Sequence, residues 1–197
     1  AGMLKVIEGH EKALAAHFGR KIGFLGAALP LEDHGVYPAA DFAADCIRRW
    51  ARTSAAIIGI AEPAAGFSSG PVTTGALHRA FPLDSSVVFV KIRGEDLERA
   101  LAALQPAEIS VSGLRLFLNN GALDRVQTEN GQLIPGHVYQ VAVPDSLASG
   151  RDNPVLYSAA EFVNSKRRVR DVMSWCFSLR KPFSAPAGGR IINSEEK

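Results

Sequence analysis

Ser86-Val-Val-Phe-Val-Lys-Ile-Arg93 runs directly into Gly94-Glu-Asp-Leu-Glu-Arg-Ala-Leu101, and this junction decides the fold class. Apolar residues alternate through residues 86–93 in the manner of a strand. Gly94 then opens a helix predicted over residues 95–104, with Glu95, Asp96 and Glu98 in its first turn, where the helix dipole favours negative charge. A strand that feeds straight into a helix calls for a sheet with helices laid on it.

Upstream of the junction, Phe81-Pro82 ends a short helix predicted over residues 73–80. The Gly, Pro and Ser-rich run 61–71 is a loop, and residues 55–60 read as a buried strand. In residues 39–53 the side chains of Phe42, Ala43, Cys46, Ile47 and Trp50 recur at helical spacing, with Pro38 near the start, where a proline is tolerated. Residues 30–38 form a loop, 21–29 a strand, and 5–17 a short helix, so that 1–20 serves as a lead-in or linker segment. Downstream, residues 108–118, 125–129 and 138–143 are strands separated by the turn signals Asn119-Asn120-Gly121 and Asn130-Gly131. A polar loop over 144–154, a helix over 168–181 and a short strand over 189–192 close the chain. Helices alternate with strands in the first half and strands cluster in the second. The expected class is therefore α/β (α+β), a mixed β-sheet core with packed helices.

With 197 residues, 47% hydrophobic and 21% charged, the chain suits one globular domain spanning residues 1–197. A formal charge of +2 gives no argument for nucleic acid or an anionic membrane as partner, so partners are read from local features. The longest apolar stretches fall far short of the ~20 residues of a spanning helix, so the expectation is a soluble chain without membrane insertion. Cys46 and Cys176 are distant in sequence and sit among apolar neighbours, which reads as two buried thiols rather than a disulfide framework. The N-terminus lacks a signal-peptide pattern, so no compartment is encoded there.

Several segments, in order, resemble the C-terminal domain of the 5'-nucleotidase family. Tyr37-Pro-Ala-Ala-Asp-Phe-Ala-Ala-Asp45 is similar to the family's early helix with its Ala-Asp pair. Gly70-Pro-Val-Thr73, Phe81-Pro82 and the 87–101 junction resemble its loop, short helix, strand and helix in succession. Ile109-Ser-Val-Ser-Gly-Leu-Arg115, Tyr139-Gln-Val-Ala-Val-Pro-Asp-Ser-Leu-Ala148, Gly150-Arg-Asp152 and Gly188-Gly-Arg-Ile191 resemble later motifs in turn. The resemblance implies a substrate-recognition domain that family members join to an upstream metallophosphoesterase domain. It also implies that divalent metals sit in that other domain, that this chain carries no cofactor, and that the protein is periplasmic or extracellular.

The same resemblance locates the departures. Family members grip nucleotide with an arginine after a glycine-rich turn and with two rings that sandwich the base, an arrangement that suits phosphate and heteroaromatic chemistry. Here the turn falls at Gly59-Ile-Ala-Glu-Pro-Ala64, with no arginine between Arg52 and Arg79. The two rings fall at Glu108 and Ser146. Since stacking contributes ~1–3 kcal/mol per base, nucleotide binding is expected to be degenerate. The candidate ligand-binding residues are Asp152, Arg151, Glu108, Ser146, Glu62 and Phe67. Loops 61–71 and 144–154 should meet across one cleft with Glu108 near its wall; if Glu108 and Asp152 both face it, the cleft is acidic and better suited to a neutral or cationic ligand or a protein partner.

No catalytic centre is legible. His10, His17, His34, His78 and His137 are scattered, without the paired motifs that a two-metal phosphoesterase needs. His10 and His17 read as surface residues, and Ser68-Ser69 and Ser85-Ser86 lack a nucleophile elbow. Lys166-Arg167-Arg168 with Arg170 reads as a solvated basic cluster at the start of the last helix. The expected function is substrate recognition without catalysis, and the alternative is a non-enzymatic binding or scaffold domain that reuses the cleft.

Overall fold

The computed structural model describes residues 14–148, 156, 161–179 and 189–193. Residues 14–19 are helical, and the remainder of the expected first helix lies outside the described residues. The elements then follow as β1 (Lys21–Leu25), α1 (Pro38–Ala51), β2 (Ala55–Gly59), β3 (Gly70–Thr73), α2 (Thr74–Ala80), β4 (Ser86–Arg93) and α3 (Gly94–Ala103). After a single 3-10 turn, Pro106–Glu108, come β5 (Ile109–Ser112), β6 (Leu114–Asn119), β7 (Ala122–Thr128), β8 (Gly131–Gln132), β9 (Val138–Pro144) and α4 (Asp145–Ala148). The last described elements are β10 (Glu161–Arg168), α5 (Val169–Ser178) and β11 (Ile191–Asn193).

A five-stranded sheet ordered β10-β4-β9-β2-β5 forms the centre. It is mixed, because β2 lies parallel to β9 while the other pairings are antiparallel. Side-chain alternation along the strands assigns two apolar faces. Ala56 and Ile58 join Phe42, Ile47, Phe81, Met173 and Phe177 beneath α1, α2 and α5. Ala55 and Ile57 point the other way and join Val90, Ile92, Leu97, Leu101, Val111 and Leu116. That second face is covered by α3 and by the four-stranded sheet β11-β6-β7-β8. Both faces of the central sheet are thus buried, which is why β2 reads as an unbroken apolar run.

Four expectations are corrected. Residues 108–118 are not one strand: Gly113, at φ 79°, breaks the run into β5 in the central sheet and β6 in the four-stranded sheet. A side chain at Gly113 would also strike the Ser54 carbonyl, so only glycine meets both demands of this corner. Cys46 and Cys176 are not free thiols; they form a disulfide between α1 and α5, with Cα atoms 5.8 Å apart. Sequence distance hid the pairing, since two packed helices bring together positions 130 residues apart. The region 61–71 is not wholly loop, because Gly70 and Pro71 open β3, which pairs antiparallel with β1. Finally, Lys166, Arg167 and Arg168 belong to β10 rather than to a helix start.

β10 escaped notice because it is an edge strand whose side chains are mostly exposed and charged. Behind it, Arg170 of α5 reaches Asp84 at 2.5 Å and His78 Nδ1 at 2.6 Å. Burial and the Arg170 charge hold the His78 pKa below its ordinary value. The hairpin signal at Asn120-Gly121 joins β6 to β7, with both residues at positive φ.

Candidate functional site

β2 and β5 run antiparallel, so Gly59 at the end of β2 pairs with Ile109 at the start of β5. Three segments meet there. The Ile60 N–H donates to the Glu108 carbonyl at 3.0 Å, and the Glu62 N–H donates to the Gly59 carbonyl at 3.1 Å, folding the loop after β2 back on itself. From α4, the Ser146 hydroxyl donates to Glu62 Oε2 at 3.0 Å. This bond ties the loop after β9 to the loop after β2, and the buried Glu62 carboxylate gains a partner.

Between these segments lies a cleft of about 770 Å³. Its wall is formed by Gly59, Ile60 and Ala61 at the end of β2, by Ala103, Leu104 and Gln105 at the end of α3, and by Glu108, Ile109 and Leu147. The lining is largely aliphatic, and among the described residues Glu108 is its one ionisable side chain. Gln105 is held at φ 53°, ψ 99°, immediately before Pro106. A residue before proline ordinarily settles in the extended region, so this conformation costs about 1–3 kcal/mol and must be held by its surroundings.

The structure therefore brings Glu62, Ser146 and Glu108 to one end of the sheet. Phe67 lies elsewhere: its ring is buried 6.4 Å from Phe81 and 5.1 Å from Phe177, centroid to centroid. It is a core ring. Arg151 and Asp152 lie outside the described residues. Among the described residues, no group of three or more His, Cys, Asp or Glu side chains could hold a metal ion. No helix among them is long and apolar enough to cross a membrane.

Sequence reading missed a polar network at the opposite end of β5. Arg190 Nη2 donates to Asp45 Oδ2 at 2.7 Å, and its Nη1 donates to the carbonyls of Val111 and Asp41 at 2.8 and 3.2 Å. Ser112 donates to Asp45 Oδ1 at 2.6 Å and accepts from Arg48 Nε at 3.0 Å. The Ala44-Asp45 and Gly-Arg-Ile motifs were the available signal, but each reads in sequence only as a marker of fold. Beside this network, the hydroxyl of Ser110 donates to the buried carboxyl of Asp41. Burial raises the Asp41 pKa above the usual carboxylate value, while the Ser110 bond and the Arg190 charge pull it down.

Comparison with known proteins agrees with this architecture. Residues 22–160 match the family described as 5'-nucleotidase, C-terminal domain. The 5'-nucleotidase precursor of Thermus thermophilus superposes with a TM-score of 0.84 at 21% identity, over 98% of this chain and 43% of that one. The NAD nucleotidase of Haemophilus influenzae gives 0.81 at 16% identity, over 96% of this chain and 40% of that one. A putative 5'-nucleotidase from Staphylococcus aureus, solved with alpha-ketoglutarate, gives 0.78 at 13% identity, over 92% and 42%. The chain thus spans less than half the length of each of these structures. No match was found among curated proteins.

Proposed function

This chain belongs to the 5'-nucleotidase C-terminal domain family, and from that premise we propose that it recognises the non-phosphate end of a phosphohydrolase substrate without cleaving it. An upstream metallophosphoesterase domain supplies the divalent metals and the activated water. The observation that carries this reading is the 770 Å³ cleft where the loops after β2 and β9 converge on Glu108. A cleft at the ends of sheet strands, mostly apolar and with few polar groups, is the usual form of a small-molecule site.

Its grip on nucleotides is degenerate. Among the described residues the lining holds neither an arginine nor an aromatic ring, so phosphate finds no forked donor and a base finds no stacking surface. The buried disulfide supports an oxidising compartment, in keeping with a periplasmic or extracellular protein. A second reading is favoured by the exposed Glu108 carboxylate on an aliphatic wall: a non-enzymatic binding or scaffold domain that takes a neutral or cationic ligand, or a protein partner, in the same cleft.

The test is direct. The purified chain, given AMP or an aryl phosphate with Mn²⁺, Zn²⁺ or Co²⁺, should release no phosphate above background. Calorimetry with millimolar AMP or adenosine should register weak binding at most. Metal-dependent turnover that survives a contaminating-phosphatase control would overturn the non-catalytic reading, and micromolar AMP affinity would overturn the degenerate grip. A parent sequence carrying Asp-x-His and Gly-Asn-His upstream selects the first reading, and one without them selects the second.

A further inference from the structure

A second cleft, of about 510 Å³, lies at the Ser112 end of β5, between α1, the β6–β7 hairpin and the residues leading into β11. Its volume is within the range of small-ligand pockets. Three arginines, Arg48, Arg115 and Arg190, and two acidic residues, Asp45 and Glu129, line this space. Asp45 is already committed to Arg190 and Ser112. Ser112 in turn accepts from Arg48 Nε at 3.0 Å, which holds that guanidinium, 30% exposed, at the wall of the cleft. A fork held in this way is a ready receptor for an oxyanion, because little rotamer freedom remains to be lost on binding.

Arg48 Nη2 donates to Glu129 Oε1 at 2.6 Å. Glu129 sits at the tip of the β7–β8 turn with its side chain 65% exposed. An ion pair so exposed is worth little and yields readily to a competing anion. Arg115 on β6 is exposed and lines the same cleft, beside the uncharged Gln127, its cross-strand neighbour.

We propose that this cleft is a binding site for a small dianion bearing carboxylate or phosphate groups. One anionic group replaces Glu129 on Arg48, and the other is held by Arg115. Glu129 occupies the position in the free protein and swings outward on binding. The site is separate from the Glu108 cleft, at the opposite end of β5, and does not depend on the function proposed for that cleft.

Titration of the chain with inorganic phosphate and, separately, with succinate at about 0.15 M sodium chloride tests this, read by NMR at Arg48 Nε–H and the amides of residues 112–115 and 127–129. Saturable shifts with half-saturation below about 1 mM are expected for at least one probe. Response to phosphate alone identifies a phosphoryl ligand, response to succinate alone a carboxylate. Glu129→Gln should tighten binding about two- to fivefold, by removing the internal competitor. Arg115→Ala, at an exposed position that leaves the fold intact, should weaken it about tenfold or more, with Arg115→Lys in between. The proposal is overturned if neither probe saturates, if sodium chloride reproduces the shifts, or if both variants bind like the parent.

Discussion

β5 is only four residues long, yet its two ends are built from different materials. At Ile109 the surroundings are aliphatic walls, one exposed glutamate and a strained Gln105, held by a few loop hydrogen bonds. At Ser112 an aspartate, a serine and two arginines exchange directional bonds that join α1, β5 and the lead into β11. Apolar walls tolerate exchange of side chains of similar size, whereas a partly buried, multiply bonded charge leaves its partners unsatisfied when it is removed. The first end is suited to changing its ligand; the second holds the sheets and α1 in register.

The most severe test of this contrast acts on α1, which carries Asp41, Asp45 and Arg48. Replacing both cysteines, Cys46→Ala with Cys176→Ala, removes a bridge closing 130 residues and should cost about 3–5 kcal/mol. Hydrogen exchange should then show amides near Ser112 losing protection before those near Ile109. Equal loss at both ends would mean that α1 anchors the whole sheet and not one end.

Arg190→Ala should rank next. It strips Asp45 of a 2.7 Å ion pair and leaves the Val111 and Asp41 carbonyls without this donor. A cost of about 2–4 kcal/mol is expected, a fall in Tm of roughly 5–15 °C, with the Glu108 cleft unaltered. A drop below about 1 kcal/mol in chemical denaturation would show the network to be ornamental.

The smallest effect belongs to Asp41. Because burial raises its folded pKa, its contribution to stability is fully present below the unfolded value of 3.8 and is lost as pH rises through the folded pKa. Asp41→Asn keeps an acceptor for Ser110 and removes this loss. The variant should be roughly 1–3 °C more stable than the parent at pH 7, with the gain vanishing toward pH 3. A gain that persists unchanged at acid pH would assign the effect to something other than this carboxyl.

Local patterning alone settled much of the molecule. The apolar spacing of residues 39–53 anticipated α1, the alternation of 86–93 marked β4 from end to end, and Asn120-Gly121 marked the β6–β7 hairpin. These features persist because short-range periodicity, glycine at positive φ and first-turn acids act within a few residues of themselves. The order of the family motifs likewise led to the correct family. Tertiary structure decided the rest: the Cys46–Cys176 bridge, the corner at Gly113, the charged edge strand β10, and the meeting of Asp45 with Arg190 across 145 residues. Burial decided the role of Phe67 as well, since an aromatic in a loop looks the same in sequence whether it faces a ligand or the core. Each depends on which surfaces meet once the chain has closed, and a contact between distant segments leaves no periodicity in either segment for a reader of the sequence to find.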